Sequence, residues 1–353
     1  MRTSLGLLLC MTLLSAPYRP ALPGYQFSFP RDHFDHLKFQ TEWWYYTGNL
    51  RDRAGKRFGF ELTFFRHAVR PELPKDANVW DVRDVWMAHL ALSDIDGKQF
   101  LKTERLNRSG AGLAGVAASQ GRIWNGNWSV QWSSDTQQLK AIADRFSIGL
   151  TMRSAKPPVT HGVNGVSQKA AGVGRASHYV SLTRLRTSGT ITLDGQKYEV
   201  EGLSWMDHEF FSNSLEANQI GWDWFSLQFE DGSELMLYRI RRKDGTVEPY
   251  SSGTYVDPSG RTKALHLQDF QLEPGNTWTS PDTGAKYPIE WKIRVHSLSL
   301  AINISTRLPQ QELASNAAGL NSYWEGAIEV KGTHSGSGYL EMTGYAGAVR
   351  MGQ

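Results

Sequence analysis

Apolar and polar residues alternate in short runs along most of the chain after Phe27. In "FGFELTFF" the alternation places four apolar side chains on one face, namely Phe58, Phe60, Leu62 and Phe64. The runs "FSIGLTM" and "SLSLAINI" repeat this pattern, and turn sequences such as "DIDGK" and "EDGSE" separate the runs. Because a period of two residues is that of a half-buried strand, the pattern predicts an all-β protein.

The two halves of the chain share this rhythm, with roughly eight strand-like segments each. This repetition predicts two tandem β-barrel domains, 25–212 and 213–353, joined between about Trp205 and Asn218. Between Lys156 and Tyr179 the sequence is irregular and rich in glycine, which predicts a long loop; loops of that length are often functional.

One apolar run changes its parity. Apolar residues occupy odd positions from Ile289 to Val295 and even positions from Leu298 to Ile304. A continuous strand cannot move its apolar side chains to the other face, so we expect a bulge or break around His296–Ser297.

Composition narrows the class of protein. The chain has 353 residues with 13 Trp, 13 Tyr and 15 Phe, but one Cys. Aromatic residues are common in sheets, and one cysteine leaves no internal disulfide to form. The net charge is +3 with both signs interspersed, which gives no indication of nucleic-acid binding.

The N-terminus has the pattern of an export signal. Arg2 precedes the apolar run "LGLLLCMTLL", Leu5 to Leu14, which is too short to span a bilayer and suits a signal-peptide core. We therefore expect residues 1–20 to be a signal peptide and the protein to be periplasmic or secreted. Cys10 follows Leu9, which is not the small residue that a lipoprotein site needs. No later segment is apolar enough for a membrane span.

Candidate chemistry is densest in "SWMDHEFFSN". In an extended segment Asp207 and Glu209 share a face and His208 lies opposite. Three interpretations are open: an ion-pair cluster between the domains, a metal site with a distant histidine, or a proton-handling site. No second histidine has a ligand-like spacing, so we expect neither a metal nor another cofactor.

Asp223 stands between Trp222 and Trp224, on the face of "WDWFSLQF" that Phe225 and Leu227 also occupy. A carboxyl group among such rings loses its hydration, which raises its pKa and keeps it protonated near neutrality. Such an acid could protonate an alkene, and aromatic faces would stabilise the resulting cation by about 1–2 kcal/mol per ring. The alternative is that Asp223 caps a neighbour or faces a solvated turn.

The stretch "TEWWYYTGNL" carries two tryptophans and two tyrosines in a row. Glu42, Trp44 and Tyr46 share one face of the predicted strand. We expect one tryptophan of the pair to close the floor of a small barrel and the other to be free to contact a ligand or the second domain. We expect Glu42, Trp44 and Tyr46 to contribute to a binding site, with the carboxylate either paired or functional.

Several long motifs resemble those of one family: "TEWWYYTGNL", "GFELTFFR", "VWMAHLALSD", "KPPVTHG", "SWMDHEFFSNSL", "QIGWDWFSLQFEDGSELMLYRIR" and "YWEGAIEV". They are similar to the hydroxyneurosporene synthase (carotenoid 1,2-hydratase) superfamily, and more closely to its secreted AttH-type branch. The resemblance spans residues 29–345 and implies two lipocalin-like domains with a cavity near their junction. Proteins of this superfamily include hydratases of isoprenoid or prenylated-phenol double bonds and pericyclic cyclases. Some bacterial members are encoded beside ABC transporter components, so the resemblance also implies such a partner.

These observations favour a cofactor-independent hydratase of an apolar, isoprenoid-like alkene. Asp223 or Asp207 would be the acid, and His208 or Glu209 would position or deprotonate water. The cation would be stabilised by Trp205, Trp222, Trp224 and Tyr238. The alternatives are a carrier of a small apolar ligand that works with an ABC export system, and a hydrolase that uses a carboxylate pair.

Overall fold

The computed structural model describes residues 18–212, 215–315 and 321–349. Most of the expected signal peptide lies outside these residues. Almost every regular element is a strand, and the helical elements are single 3-10 turns at Arg31–His33, Ala118–Gln120, Leu267–Asp269 and His296–Leu298. In the described part of the chain, no helix has the length and hydropathy that a membrane crossing requires.

Thirteen strands of the described chain form the first sheet. They are β1 (Thr41–Asp52), β2 (Arg57–Ala68), β3 (Asp84–Asp94), β4 (Gln99–Arg108), β5 (Ala114–Ala117), β6 (Arg122–Asn125), β7 (Trp128–Ser133), β8 (Thr136–Ile142), β9 (Phe146–Ser154), β10 (Val159–Thr160), β11 (Ser167–Gln168), β12 (Ala176–Leu193) and β13 (Gln196–Phe211). The order is β4-β3-β2-β1-β13-β12-β9-β8-β7-β6-β5, and β10 and β11 pair with β12. A bridge between Ser109 and Ala114 brings the two edges together, so the sheet curls into a nearly closed barrel.

The remaining strands form the second barrel and a small hairpin. They are β14 (Gln219–Phe229), β15 (Glu234–Arg242), β16 (Ser252–Val256), β17 (Thr262–His266), β18 (Gln271–Pro274), β19 (Thr277–Thr279), β20 (Lys286–Pro288), β21 (Glu290–Val295), β22 (Leu300–Ser305), β23 (Glu312–Leu313), β24 (Tyr323–Gly332) and β25 (Gly336–Thr343). The order is β17-β16-β15-β14-β25-β24-β22-β21-β18; β23 pairs with β24, and β19 with β20. The prediction of an all-β chain with two tandem lipocalin-like barrels is confirmed.

Alternation along the strands fills each barrel with apolar side chains. Phe58, Phe60, Leu62 and Phe64 lie in the core of the first barrel, as the sequence pattern predicts. Phe225 and Leu227 lie in the core of the second. Each such side chain contributes about 1.5–3 kcal/mol when it leaves water. The predicted break is confirmed as well, because a 3-10 turn at His296–Leu298 separates β21 from β22.

A third apolar cluster lies between the two barrels. It joins Tyr45 and Tyr179 of the first sheet to Trp224 and Tyr238 of the second. These residues alternate with the core residues of their strands, so their side chains point out of the barrels and toward each other. The outer faces of the two sheets therefore form an interface, and the candidate site lies within it.

Candidate active site between the two barrels

A cavity of ≈ 520 Å³ lies where the outer faces of the barrels meet. On the first barrel β1 contributes Trp43 and Tyr45, whose neighbours point the other way, into the barrel core. On the second barrel β14 contributes Trp222 and Trp224, and β15 contributes Tyr238. Aromatic side chains from both sheets thus contribute to the walls, together with charged and aliphatic residues.

Asp207 of β13 is buried in the cavity wall among three hydrogen-bond donors. The hydroxyl groups of Tyr179 and Ser181 donate to its two oxygens. The indole Nε1 of Trp205 also donates to Asp207 Oδ1, at 2.6 Å. Burial raises the pKa of Asp207 to about 7, although the three donors act in the opposite direction. This carboxyl group can therefore exchange a proton near neutral pH.

The hydrogen bonds of Asp207 continue across the barrel interface. Trp224 Nε1 donates to the Tyr179 oxygen at 2.9 Å. His161 lies 2.6 Å from Ser181 Oγ through Nε2 and 2.8 Å from Thr254 Oγ1 through Nδ1. Burial lowers the pKa of His161 to about 3, so the ring is neutral. Since Ser181 donates to Asp207, Nε2 of His161 carries the proton and Nδ1 accepts from Thr254.

Glu209, two residues further along β13, faces the same cavity with different partners. Ser177 Oγ donates to it, and Lys169 Nζ lies 3.1 Å from its Oε1. Lys169 also stands 4.0 Å from the ring centroid of Tyr238. Burial lowers the pKa of Lys169, but the charge and hydrogen bond of Glu209, together with the contact to Tyr238, outweigh burial and keep this pKa above its usual value. Glu209 and Lys169 therefore form an ion pair at the cavity wall.

Glu325 of β24 and Glu341 of β25 face the cavity from the second barrel. Tyr45 donates its hydroxyl proton to Glu325, and Trp222 Nε1 donates to Glu341 Oε2 at 2.9 Å. Burial, and then the charge of Glu341, raise the pKa of Glu325 well above its usual range. Burial raises the pKa of Glu341 to about 8.

A fifth carboxyl group, that of Glu61, lies behind the wall on the first barrel. Glu61 accepts hydrogen bonds from Thr63 Oγ1 at 2.7 Å and from the Tyr323 hydroxyl at 3.2 Å. The Tyr323 oxygen also lies 2.5 Å from His89 Nδ1. Burial raises the pKa of Glu61 to about 7 and lowers that of His89 to about 4. His89 and Tyr323 line the cavity, and Glu61 accepts the hydrogen bond of Tyr323 from behind the wall.

Sequence reasoning missed Tyr45, Tyr179, Glu325, Glu341 and Lys169. A signal for the two glutamates was present, since "YWEGAIEV" and "GYLEMTGY" place each of them two residues after a tyrosine on the same strand face. An acidic residue on an aromatic strand face is the same pattern that singled out Asp223. The tyrosines had no such signal, because their roles depend on which strands pair.

Asp223 does not line the cavity. It points into the second barrel, where Arg239 Nη2 lies at 2.7 Å and Arg241 Nε at 3.3 Å from its Oδ2. The Tyr345 hydroxyl donates to Oδ1 at 2.9 Å. The expectation of apolar surroundings is therefore wrong, because two arginines on the neighbouring strand β15 neutralise this carboxylate. We therefore assign Asp223 a structural role and not the role of proton donor.

Glu42, Trp44, Tyr46 and His208 also lie away from the cavity, inside the first barrel. Glu42 Oε1 is 2.8 Å from His208 Nε2, and its Oε2 is 3.1 Å from Arg66 Nε. The ring of Trp44 stacks on His208 at 4.8 Å, and the Tyr46 hydroxyl donates to Gln137 at 2.8 Å. The expectation that Glu42, Trp44 and Tyr46 bind substrate is corrected, because strand alternation turns Trp43 and Tyr45 to the cavity instead. The expectation that His208 positions or deprotonates water is corrected for the same reason, because its neighbours Asp207 and Glu209 face the cavity.

The group around Glu42 brings three potential metal ligands together. Donor atoms of His36, Glu42 and His208 lie within 4.8 Å of one another. Arg66 is fully buried beside Glu42 and also pairs with Asp84 at 2.9 Å. A cation thus already neutralises this carboxylate, and the arrangement is that of an ion-pair cluster.

Five of the site residues that the sequence predicted line the cavity, namely Asp207, Glu209, Trp222, Trp224 and Tyr238. Trp205 does not line the cavity itself, but it donates a hydrogen bond to Asp207, which does. The proposed residues fall into two groups, one in the cavity and one inside the barrels. The two groups differ in which face of the strand each side chain occupies, because alternate residues of a strand point to opposite faces of the sheet.

The family model described as AttH-like matches residues 20–345 of this chain. The crystal structure of an AttH protein from Nitrosomonas europaea is similar over 93% of this chain and 99% of that chain, with 31% identity and a TM-score of 0.82. Kievitone hydratase from Nectria haematococca is similar over 94% and 98%, with 16% identity and a TM-score of 0.67. CghA bound to Sch210972 is similar over 95% and 96%, with 13% identity and a TM-score of 0.59. No curated protein sequence matches this chain.

Proposed function

Because this chain belongs to the AttH-like family and shares its fold with kievitone hydratase, we propose that it is a hydratase of an apolar, isoprenoid-like alkene. The reaction adds water to a carbon–carbon double bond without a cofactor. We also propose that the protein works after export, on the basis of the apolar run from Leu5 to Leu14.

One observation carries this proposal: carboxyl groups with raised pKa values face an aromatic cavity. Burial raises the pKa values of Asp207, Glu325 and Glu341, so carboxyl groups of this set keep protons at a pH where ordinary carboxyl groups are fully ionised. An acid of this kind can protonate an alkene carbon, which leaves a tertiary cation. Trp222 and Trp224 present rings to the same space, and such rings stabilise a cation by about 1–2 kcal/mol each.

The reaction needs two carboxyl groups in different protonation states, one protonated and one ionised. One gives its proton to the alkene carbon, and water then attacks the cation through its oxygen. The second carboxyl group takes the proton that the attacking water releases, and the product is a tertiary alcohol. Asp207 is one of the two groups, because it lines the cavity and titrates near neutrality.

The hydrolase alternative fits the cavity less well. A glycosidase pair works in a polar cleft that admits a sugar and water. Here the carboxyl groups stand among the rings of Trp43, Trp222 and Trp224. A carrier of an apolar ligand, working with an ABC export system, is the second candidate function, and the aromatic walls of the cavity favour it.

The test is turnover of a prenylated phenol in labelled water. The purified protein is incubated with kievitone in ¹⁸O-water, and the product is analysed by mass spectrometry. We expect one ¹⁸O atom per hydrated product, and a rate at least about 100-fold lower in Asp207→Asn. Asp135→Asn, which changes an exposed ion pair with Arg153, is the matched control and should retain the wild-type rate.

Two results would contradict parts of this proposal. An Asp207→Asn variant that hydrates as fast as the wild type would contradict the role of Asp207. Wild-type protein that binds prenylated or isoprenoid compounds in native mass spectrometry and releases all of them unchanged would contradict the hydratase function itself. The second result would support the carrier.

A further inference from the structure

Glu325 and Glu341 are direct partners across the ladder between β24 and β25. In an antiparallel pair the Cβ atoms of such partners lie about 4.5–5.5 Å apart, so two negative charges there repel each other. Glu325 is 1% exposed, and both side chains face the cavity. The arrangement favours a state in which the pair holds one proton.

The partners of the two groups do not supply a compensating charge. Glu325 accepts from the Tyr45 hydroxyl, and its Oε2 is buried without a hydrogen-bond partner. Glu341 accepts from Trp222 Nε1. Among the ion pairs of the described residues, none includes Glu325 or Glu341, whereas Glu209 has Lys169. A buried carboxyl oxygen without a partner is unusual, and a protonated carboxyl group, which carries no charge, is favoured there over a carboxylate.

Asp207 has the opposite surroundings. Three donors converge on it from Tyr179, Ser181 and Trp205. Donors of this kind favour the carboxylate over the acid. Asp207 is therefore suited to accept a proton, and the glutamate pair is suited to give one.

Tyr45 connects these two sites. It is the cross-strand partner of Asp207 between β1 and β13, and its hydroxyl reaches Glu325 on the other barrel. Both carboxyl groups thus lie next to the same tyrosine, one on each wall of the cavity. A substrate in contact with Tyr45 is within reach of both.

We propose that Glu325 and Glu341 share one proton, that Glu325 delivers it to the alkene carbon, and that Asp207 takes the proton of the attacking water. This assignment rests on the hydratase function proposed above and gives its two carboxyl roles to named residues. The O–H bond of Glu325 breaks as the C–H bond forms, and the water oxygen bonds to the cation. Asp207 then returns the proton to Glu325 through solvent, which completes the cycle. Glu325 is a catalytic residue in this scheme, and Glu341 is a positioning residue that keeps it protonated.

Infrared spectroscopy tests the shared proton without substrate. A protonated carboxyl group has a C=O stretch distinct from that of a carboxylate, and we expect the wild type to show it at pH 7. Glu325→Gln should weaken this band, because the remaining Glu341 has lost its partner and ionises more easily. Glu273→Gln, at an exposed ion pair with Arg294, is the control and should leave the band unchanged. A Glu325→Gln spectrum identical to that of the wild type would overturn the shared proton.

Kinetics with kievitone test the roles. Glu325→Gln should lower the hydration rate at least about 100-fold while thermal unfolding shows an intact fold. Glu341→Gln should keep more activity and move the alkaline limb of the pH–rate profile to lower pH, because it removes the neighbour that raises the pKa of Glu325. A Glu325→Gln variant with the wild-type rate, or an unmoved limb in Glu341→Gln, would overturn the assignment. Wild-type protein that does not hydrate at all would instead overturn the proposed function, and the infrared result would still decide whether the pair shares a proton.

Discussion

At Asp207, burial and hydrogen bonding act in opposite directions. Burial favours the protonated carboxyl group, whereas the donors Tyr179, Ser181 and Trp205 favour the carboxylate. Their balance leaves a pKa of about 7, which suits a group that exchanges protons near neutral pH. Burial therefore outweighs the donors, and the donors keep the pKa of this residue from rising further.

Tyr179→Phe should raise the pKa of Asp207. The substitution removes a hydroxyl donor that lowers this pKa and keeps the aromatic ring in place. The pKa can be followed by ¹³C NMR of the side-chain carboxyl carbon during a pH titration. Tyr250→Phe, at an exposed position, is the control and should leave the pKa unchanged. An unchanged or lower pKa of Asp207 in Tyr179→Phe would contradict this account.

Asp223→Asn should act on stability. The carboxylate is fully buried between Arg239 and Arg241, so its loss leaves two guanidinium groups without a counter-charge. Since both arginines keep some exposure, we expect the free energy of unfolding to fall by about 2–3 kcal/mol. Urea unfolding measures this change, and Asp135→Asn at an exposed ion pair should shift it by less than about 1 kcal/mol. Equal changes in the two variants would contradict a structural role for Asp223.

The sequence predicted some of these residues well, for a physical reason. Period-two alternation places Asp207 and Glu209 on one face regardless of what pairs with them. The surroundings of Asp223 could not be predicted, because the arginines that neutralise it come from the neighbouring strand and depend on register. Tyr45 and Glu325 meet across two barrels, which no local pattern encodes.

At the scale of elements, the segment 31–39 packs against the ends of β1, β2 and β13. Trp44 Nε1 donates to the His33 carbonyl at 3.0 Å, and Arg66 Nη2 donates to the Phe39 carbonyl at 2.8 Å. His36 of this segment lies 2.8 Å from Glu42 and 3.0 Å from Asp32. Its charge therefore holds the segment to the first barrel.

The stabilising effect of His36 should depend on pH. Burial lowers its pKa, but the charge of Glu42 and the bond to Asp32 outweigh burial and raise it above the usual value. The stabilisation is then fully present below about pH 6.5, the pKa of an unfolded histidine, and is lost as the pH rises through the folded pKa. Comparing urea unfolding of the wild type and His36→Gln across this range should show a difference that shrinks with increasing pH. A difference that grows with pH would contradict the sign; His296→Gln, at an exposed position, is the control.

At the scale of the whole molecule, the candidate site exists only where the barrels meet. Asp207 and Tyr45 come from the first sheet, whereas Glu325, Glu341 and Trp222 come from the second. Alternation and turns predicted two barrels, and they could not predict how the outer faces meet. The relative position of the barrels depends on contacts between residues far apart in sequence, and those contacts decide which carboxyl groups share a cavity.

Glu234 is one such contact, and its loss should loosen the interface. It is fully buried on β15 and pairs with Lys156 at 2.7 Å and with Arg184, both from the first barrel's part of the chain. Glu234→Gln leaves these two cations without a carboxylate, so we expect the free energy of unfolding to fall by about 2–3 kcal/mol. Urea unfolding measures this change, and binding of an apolar fluorescent dye reports on the cavity.

The matched control is Glu329→Gln, at an ion pair that also joins the barrels but is partly exposed. Arg57 Nη1 lies 3.0 Å from Glu329, and their side chains are 37% and 29% exposed. Because water screens this pair, its removal should cost less than about 1 kcal/mol and leave dye binding unchanged. If burial of the pair decides how firmly the barrels are joined, only Glu234→Gln should weaken dye binding. Equal effects of the two substitutions would show that the interface depends on the apolar cluster around Tyr45 and Trp224 instead.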